Sequence, residues 1–507
     1  MVEVVEAGRH RGVVAGGHRC TVDAAVAVLD AGGNAFDAAV AAGFAAAVAE
    51  PCLSSLAGGG FLLAHPVDGE PLLYDFFVDT PGRGAPADLE PALVPVTIRF
   101  PGADQVFHVG QASVAVPGCL PGYLHVHAAL GRLPLAEVVA PARDLALAGV
   151  ELGADQAAVV RLLEPIFART PEARALFVPE GRPFADDEVV RNPQLAGFLD
   201  AIATGAVTGF DDPDLACELA AANQAGGGVL TVEDLTGYQV VERSPLVVRH
   251  AGATVVTNPV PSFGGALIAR ALAMVADEGL AGRPGSLARL DQLARVLADV
   301  TAAHVGVGVH LTEPAEGPAL PRPRASKGTT HVSVADAAGN LASMTTSNGS
   351  GSGITLGGTG VLANNIMGEA DLHPAGFHRS PPGVRVGSMM APSVVLPDTG
   401  PALVLGSGGS ERIRSALTQV LLGLLDDRLD LETAVLAPRV HWDGSVLQVE
   451  PGVDAAVLDA LERHWPVNRW SVQDLYFGGV HVVTADGRGV GDPRRGGRVG
   501  AATREHA

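Results

Sequence analysis

Two kinds of apolar periodicity alternate along this chain and together predict a mixed α+β fold. Apolar residues recur every three to four positions in ten segments that we expect to be helices: Thr21–Ala31, Asn34–Ala49, Leu120–Leu130, Leu135–Ala148, Ala154–Leu163, Gly264–Asp277, Ser286–His304, Arg412–Leu425, Leu431–Ala437 and Ala455–Arg463. Shorter β-rich runs predict strands: Phe61–Ala64, Leu72–Phe77, Leu230–Leu235, Leu246–Val256, Thr329–Asp336, Leu341–Thr346, Ser393–Leu396, Ala402–Gly406, Ser445–Val449 and His481–Thr484.

The pattern breaks once, over residues 311–328. This stretch holds four prolines, scattered charge and almost no periodicity, so we expect an exposed, mobile connection. It leads directly into the alternating segment that starts at Thr329, and Asp336–Asn340 predicts the turn of a β-hairpin.

Composition narrows the function classes. The 507 residues are 47% hydrophobic, and 34 Lys and Arg stand against 55 Asp and Glu, which gives a net charge of −21. Such a chain can bury a large core but repels nucleic acid and anionic membranes, so we expect neither as a partner. No apolar run approaches the ~20 residues of a membrane span, and no signal peptide is evident, so we expect a soluble, cytoplasmic protein.

Metal and cofactor signals are weak. The four cysteines are widely spaced without a CxxC pair, and His125 and His127 have no third ligand nearby, so we expect no metal and no cofactor.

The junction Gly328-Thr329 has the residue types that self-cleavage needs. A hydroxyl at the start of a strand, after a small Gly, can attack the preceding carbonyl and leave a new N-terminal Thr. The freed α-amine, with an ordinary pKa of about 7.7–8.0, can then act as the hydroxyl's general base. By itself this sequence is usually just the start of a strand.

Two Gly-rich turns are candidates for binding an anion or an oxyanion through backbone N–H groups. They span residues 347–353 and 406–412, and the second runs from a predicted strand into a predicted helix. Neither matches a phosphate-binding P-loop or a dinucleotide motif, which disfavours a nucleotide-binding function.

Eleven short sequence blocks follow one another along nearly the whole chain. They are GGNAFDAA (32–39), EP (50–51), GGGF (58–61), SVAVPG (113–118), PA (141–142), LTVEDL with Tyr238 (230–238), PVPSFGG (259–265), TTHVSVADAAGN (329–340), NNIM (364–367), GSGGS (406–410) and DPRRGG (492–497). In this order the blocks resemble the gamma-glutamyltranspeptidase family of N-terminal-nucleophile hydrolases, and the block at residues 329–340 is the most specific.

The resemblance implies a four-layer αββα sandwich and self-cleavage between Gly328 and Thr329. Residues 1–328, with the Pro-rich tail 311–328, would form a large subunit and residues 329–507 a small one, both within a single sandwich. Site roles are implied as follows: nucleophile, Thr329; hydroxyl partner of the nucleophile, Ser347; oxyanion pair, Gly408 and Gly409; substrate binding, Asn348, Glu369 and Ser388.

Departures from the family pattern concentrate on substrate recognition. Phe77 stands where the family has an Arg that grips the glutamyl carboxylate, Met389 replaces the second of two serines, and Ile366 replaces a polar residue. Arg83, six residues beyond Phe77, is a candidate replacement for the missing cation. A Phe cannot make the bidentate contact that Arg makes with a carboxylate.

Three functions therefore stay open. The first is a gamma-glutamyl hydrolase or transferase acting on glutathione-type amides, with water or an amino acid or peptide as acceptor. The second uses the same nucleophile on another acyl amide, as in cephalosporin acylases, oxamate amidohydrolase or natural-product hydrolases. The third is an unprocessed, non-catalytic binding protein.

Overall fold

The computed structural model describes residues 3–5, 10–86, 89–100, 103–178, 182–310 and 328–503, so nearly all of the expected mobile connection lies outside the described residues. Its helices are α1 (Arg19–Asp30), α2 (Ala35–Ala49), α3 (Cys119–Leu130), α4 (Leu135–Ala148), α5 (Gly153–Leu162), α6 (Glu164–Phe167), α7 (Pro171–Phe177), α8 (Pro193–Thr204), α9 (Pro213–Ala225), α10 (Val232–Thr236), α11 (Phe263–Glu278), α12 (Leu287–His310), α13 (Arg412–Leu425), α14 (Leu431–Leu436) and α15 (Ala455–Leu461).

The strands are β1 (Val4–Val5), β2 (His10–Gly16), β3 (Gly59–His65), β4 (Leu72–Phe76), β5 (Val94–Phe100), β6 (Ala103–Val109), β7 (Val150–Glu151), β8 (Val189–Val190), β9 (Val241–Arg243), β10 (Leu246–His250), β11 (Ala253–Thr257), β12 (Thr329–Asp336), β13 (Leu341–Ser347), β14 (Thr355–Leu356), β15 (Val361–Leu362), β16 (Ser393–Pro397), β17 (Leu403–Gly408), β18 (Val440–Trp442), β19 (Leu447–Val449), β20 (Val467–Arg469), β21 (Gly479–Thr484), β22 (Gly489–Val490) and β23 (Arg498–Thr503).

Two seven-stranded antiparallel sheets form the centre of the molecule. One has the strand order β1-β22-β21-β17-β16-β11-β10, and the other has the order β23-β2-β12-β13-β3-β4-β9. Each sheet combines strands from before and after the Gly328–Thr329 bond. Strands from both sides of this bond therefore belong to the same two sheets.

Side chains on the two faces of the second sheet pack into two different apolar cores. Val14 and Leu62 belong to a cluster that the sheet shares with α1, α2 and α3, whereas Val13 and Leu63 belong to a cluster that reaches the first sheet. That second cluster continues to α11, α12 and α13. Because neighbouring residues of a strand point to opposite faces, the layers stack as helix, sheet, sheet, helix. The expected four-layer αββα sandwich is confirmed.

Local capping explains why α2 forms where it does. Asn34 accepts hydrogen bonds from the N–H groups of Phe36 and Asp37, and Asp37 accepts one from the Asn34 N–H, which makes a capping box. The Asp336 carboxylate accepts the N–H of Asn340 in the hairpin turn and that of Ala35 at the start of α2. The hairpin β12–β13 is thereby fixed to the buried helix beneath it.

One predicted strand is wrong. Leu230–Leu235 is not a strand, because Val232–Thr236 forms helix α10. Thr231 and Asp234 cap this helix reciprocally, and the two hydrogen bonds stabilise a helical turn over the β-rich composition of the segment. The predicted run Leu246–Val256 divides into the hairpin strands β10 and β11.

Candidate active site

Thr329 lies at the first position of β12, opposite Ser347 at the last position of β13. The Thr329 hydroxyl is 3.4 Å from the Ser347 hydroxyl, and both residues are buried, with 6% and 7% of their surface exposed. The Ser347 hydroxyl also donates a hydrogen bond to the Gly328 carbonyl oxygen. One side chain therefore contacts the hydroxyl of Thr329 and the carbonyl that precedes it.

Gly328 is held where only a glycine fits. An ideal Cβ at this position would overlap the carbonyl oxygen of Gly349 and lie 3.1 Å from that of Cys52. Both neighbours are backbone atoms, which cannot rotate away as a flexible side chain could. The backbone of residues 347–349 therefore encloses the Gly328–Thr329 bond from one side.

The last residue of β17, Gly408, lies against the same strand end, and Gly409 begins the turn that follows. A Cβ on Gly408 would overlap the Thr329 carbonyl oxygen, and Gly409 has φ +124°, a conformation that favours glycine. The Ser410 hydroxyl donates to the Asp371 carboxylate at 2.7 Å, and burial raises the pKa of that carboxyl. The turn leads into α13, so its backbone N–H groups lie at a helix N-terminus.

Two buried charged residues flank the start of β12, and the sequence analysis gave neither a role. The Glu50 carboxylate accepts hydrogen bonds from the hydroxyls of Thr21 and Thr330, each at 2.6 Å, and burial raises its pKa. Arg495 Nη1 donates to the Thr329 carbonyl oxygen at 3.1 Å, and burial lowers the Arg495 pKa to about 9. Both residues stand in the quoted sequence blocks, but only the fold shows that they meet β12.

Polar groups without partners collect around Gly349. Asn348 is fully buried, and neither of its amide atoms has a hydrogen-bond partner among the described residues. The same holds for Ser350 Oγ and for Asn365 Nδ2. A Cβ on Gly349 would lie 2.8 Å from Glu369 Oε1, so Asn348, Asn365 and Glu369 converge here. Buried polar groups are normally satisfied, so this convergence is suited to a polar ligand or water.

Ser388 lies on a separate loop beside α11. Its backbone oxygen accepts the Phe263 N–H at 2.8 Å, and its hydroxyl accepts the Met390 N–H at 3.1 Å. Phe77, Ile366 and Met389, the three departures from the family pattern, all belong to one buried apolar cluster. All three side chains are therefore in apolar surroundings.

Arg83 is bound by other groups of this chain. Its described side-chain contacts are with the carbonyl oxygens of Gly237 and Gly383, at 3.1 and 3.3 Å, and with Asp79 at 3.8 Å.

A second cation, Arg385, lies close to Phe77. It donates to the Phe77 carbonyl oxygen and forms ion pairs with Asp75 and Asp79 at 3.5 and 3.3 Å. The guanidinium groups of Arg83 and Arg385 are therefore already paired with the carboxylates of Asp75 and Asp79.

The described residues contain neither a cluster of metal ligands nor a membrane-spanning helix. Among them, no three His, Cys, Asp or Glu side chains are grouped to hold a metal ion, and no helix is long and apolar enough to cross a membrane. His125 contacts Glu242 at 3.1 Å, whereas His127 contacts the Leu133 carbonyl at 2.8 Å, so the two histidines face different partners.

Comparison with known proteins finds a matching family model, related sequences and a solved structure with a similar fold. Residues 21–298 and 288–502 match the family model described as gamma-glutamyltranspeptidase. The chain is 33% identical over 480 residues to the acylase ACY 1 proenzyme of Pseudomonas sp. (strain SE83), covering 89% of this chain and 86% of that protein. It is 29% identical over 497 residues to the glutathione hydrolase proenzyme of Escherichia coli (strain K12), covering 89% and 85%. The structure of cephalosporin acylase from Bacillus halodurans superposes with a TM-score of 0.80 at 24% identity, over 98% and 97% of the two chains.

Proposed function

Because the chain belongs to the gamma-glutamyltranspeptidase family and is thus an N-terminal-nucleophile hydrolase, we propose that it is a self-processing amide-bond acylase with Thr329 as nucleophile. The observation that carries this proposal is the position of the Ser347 hydroxyl. It lies 3.4 Å from the Thr329 hydroxyl and donates to the Gly328 carbonyl oxygen. The groups needed to break the Gly328–Thr329 bond are therefore adjacent in the continuous chain.

Self-processing begins with attack of Thr329 Oγ1 on the Gly328 carbonyl carbon. The hydrogen bond from Ser347 withdraws electron density from the carbonyl oxygen, which favours the attack. The C–N bond then breaks, the nitrogen takes up the proton, and an ester joins Gly328 to the Thr329 side chain. Water hydrolyses that ester to a Gly328 carboxylate and a free Thr329 hydroxyl, which gives subunits of residues 1–328 and 329–507.

Turnover uses the same hydroxyl on a substrate amide. The neutral α-amine of Thr329 accepts the hydroxyl proton as the oxygen attacks the substrate carbonyl. Backbone N–H groups of Gly408 and Gly409 stabilise the oxyanion, since Gly408 lies against the Thr329 backbone and Gly409 follows it directly. The leaving amine takes the proton, and water or an acceptor amine then releases the acyl group from the enzyme.

The departures from the family pattern favour a substrate other than a gamma-glutamyl amide. By the resemblance, Phe77 and Met389 stand where the carboxylate of such a substrate would need donors, and both are buried in an apolar cluster. A site that lacks a partner for a buried carboxylate discriminates strongly against it. A relative that carries the name acylase supports the same choice.

A gamma-glutamyl hydrolase or transferase is the second candidate. The unpartnered amide of Asn348 and the nearby carboxylate of Glu369 offer hydrogen-bond acceptors for a substrate α-amino group. The hydroxyl of Ser388 is the candidate donor for the α-carboxylate. The relative named glutathione hydrolase supports this candidate.

Two measurements test the proposal. Intact-mass analysis should find fragments of roughly 33 and 18 kDa instead of one chain, at about 0.1 kDa per residue. An uncut wild-type chain without amidase activity would contradict the proposal and favour a binding protein.

Four anilides with the same leaving amine then separate the substrates: gamma-glutamyl, glutaryl, 4-aminobutanoyl and butanoyl. They differ only in the amino group and the carboxylate of the acyl part. A kcat/KM that is undiminished by removal of the carboxylate supports the acylase, whereas a clear preference for gamma-glutamyl supports the second candidate.

A further inference from the structure

The first residues of β12 have a sheet partner on one side only. Thr329 and Thr330 pair with Ser347 and Thr346 on β13, whereas pairing with β2 begins at Val332. The side of Thr329 and Thr330 that faces away from β13 is therefore without a ladder. A strand end with a single neighbour is prone to fray.

A buried carboxylate fills the place that β2 leaves. Glu50, the residue that ends α2, accepts the Thr330 hydroxyl at 2.6 Å, and no part of its surface is exposed. An ideal Cβ on Gly17, just after β2, would lie 2.6 Å from Glu50 Oε2 and 2.8 Å from Thr330 Oγ1. The backbone at Gly17 thus packs directly against the hydrogen bond between Thr330 and Glu50. A side chain at this position would collide with both groups, so the close approach depends on glycine.

Self-cleavage changes what holds Thr329. In the continuous chain the bond to Gly328 restrains its backbone from the N-terminal side. After cleavage the nucleophile is a chain terminus, and its hydroxyl must still lie within a fraction of an ångström of a productive position. After the cut, Thr329 keeps its pairing with β13 and the hydrogen bond that Arg495 donates to its carbonyl oxygen. The next residue of the strand is held by the hydrogen bond from Thr330 to Glu50.

We propose that Thr330 and Glu50 are a positioning pair that holds the nucleophile end of β12 after self-cleavage, a role that rests on the proposed function of Thr329. The pair is needed for turnover by the cut enzyme. It is dispensable for the cut itself, because the Gly328 peptide bond still restrains Thr329 at that stage. The pair touches neither substrate nor the reacting atoms, so it acts only through the strand.

The substitution Thr330→Val tests this role, because it keeps the shape of the side chain and removes the hydroxyl. We expect complete self-cleavage at the wild-type rate, followed by a fall in kcat of about 10- to 100-fold with little change in KM. Thr330→Ser retains the hydroxyl and should restore most of kcat. The readouts are intact mass over time and steady-state hydrolysis of the best anilide.

Thr21→Val is the matched control. Thr21 donates to the other oxygen of the same carboxylate at the same 2.6 Å, and it is also buried, but it belongs to α1. Both variants should unfold at similar temperatures, while Thr21→Val should keep most of its kcat. A Thr330→Val enzyme with wild-type kcat would overturn the inference, as would equal losses of self-cleavage and turnover, or an equal loss of kcat in Thr21→Val.

Failure of the proposed function would look different. It would show as an uncut or inactive wild-type chain, whatever these variants do.

Discussion

Replacement of Gly408 by alanine would test how closely the turn after β17 must approach the nucleophile. An ideal Cβ on Gly408 overlaps the Thr329 carbonyl oxygen and lies 3.2 Å from Arg495 Nη1. The overlapped atom belongs to the backbone, so the turn or the strand must move by roughly 1 Å to restore an ordinary contact. Gly408 is not among the glycines with positive φ, so the effect is one of space and not of backbone strain.

The expected loss of rate follows from the size of this movement of the backbone. A misplacement of about 1 Å near reacting groups can lower the rate about 100-fold. A hundredfold loss of kcat corresponds to about 2.7 kcal/mol of transition-state stabilisation. Overpacking of this kind also lowers the free energy of unfolding by about 1–3 kcal/mol, which a domain of this size can tolerate.

The assay compares kcat for anilide hydrolysis with the unfolding temperature. Gly197→Ala on α8 is the control, because a Cβ there meets no atom within 4 Å. It should keep the wild-type rate and gain about 0.5–1 kcal/mol of stability as a helical Gly replaced by Ala. A Gly408→Ala enzyme that turns over at the wild-type rate would refute the argument that this glycine is needed for approach to Thr329.

Four further outcomes are expected. Thr329→Ala should leave one full-length band on a denaturing gel and no turnover, because one hydroxyl serves both steps; two bands would contradict the nucleophile assignment. Gly328→Ala should also remain uncut, since its Cβ overlaps the Gly349 carbonyl oxygen, and intact mass would reveal any cleavage. Arg83→Gln should leave kcat/KM unchanged, because the Arg83 guanidinium is already bound to the carbonyl oxygens of Gly237 and Gly383 and to Asp79; a large loss would place it in the substrate site. Burial lowers the pKa of His373 to about 4, so between pH 6.5 and 4 the unfolded chain binds more protons than the folded chain. Stability should therefore fall as the pH falls through that range, by up to about 1.4 kcal/mol per pH unit for this residue, and denaturant titrations of His373→Gln should show a smaller slope than wild type.

Local sequence signals predicted many of the elements and the candidate nucleophile. The capping residues Asn34 and Asp37 act within four positions of each other, and the hairpin that begins at Thr329 is specified by alternation and by the turn at Asp336–Asn340. These signals can be read from the chain because each depends on neighbours in sequence. The same locality explains the error at Leu230–Leu235, where a reciprocal cap outweighed the β-rich composition.

The surroundings of Thr329 depend on contacts between distant parts of the chain. Glu50 meets Thr330 across 280 positions, and Arg495 meets Thr329 across 166. Neither pairing has a periodic or motif signature, because the order of strands in the sheet decides which side chains become neighbours.

The contacts of the candidate substrate-binding residues also could not be predicted from the sequence. The sequence predicted the exchange of Arg for Phe77, but only the fold shows that Arg83 is bound to backbone carbonyls elsewhere and that Arg385 is neutralised by Asp75 and Asp79. The sequence by itself thus determined the elements, the family and the hydroxyl at Thr329. The tertiary structure decided which groups surround that hydroxyl, because burial and ion pairing depend on three-dimensional packing and not on spacing along the chain.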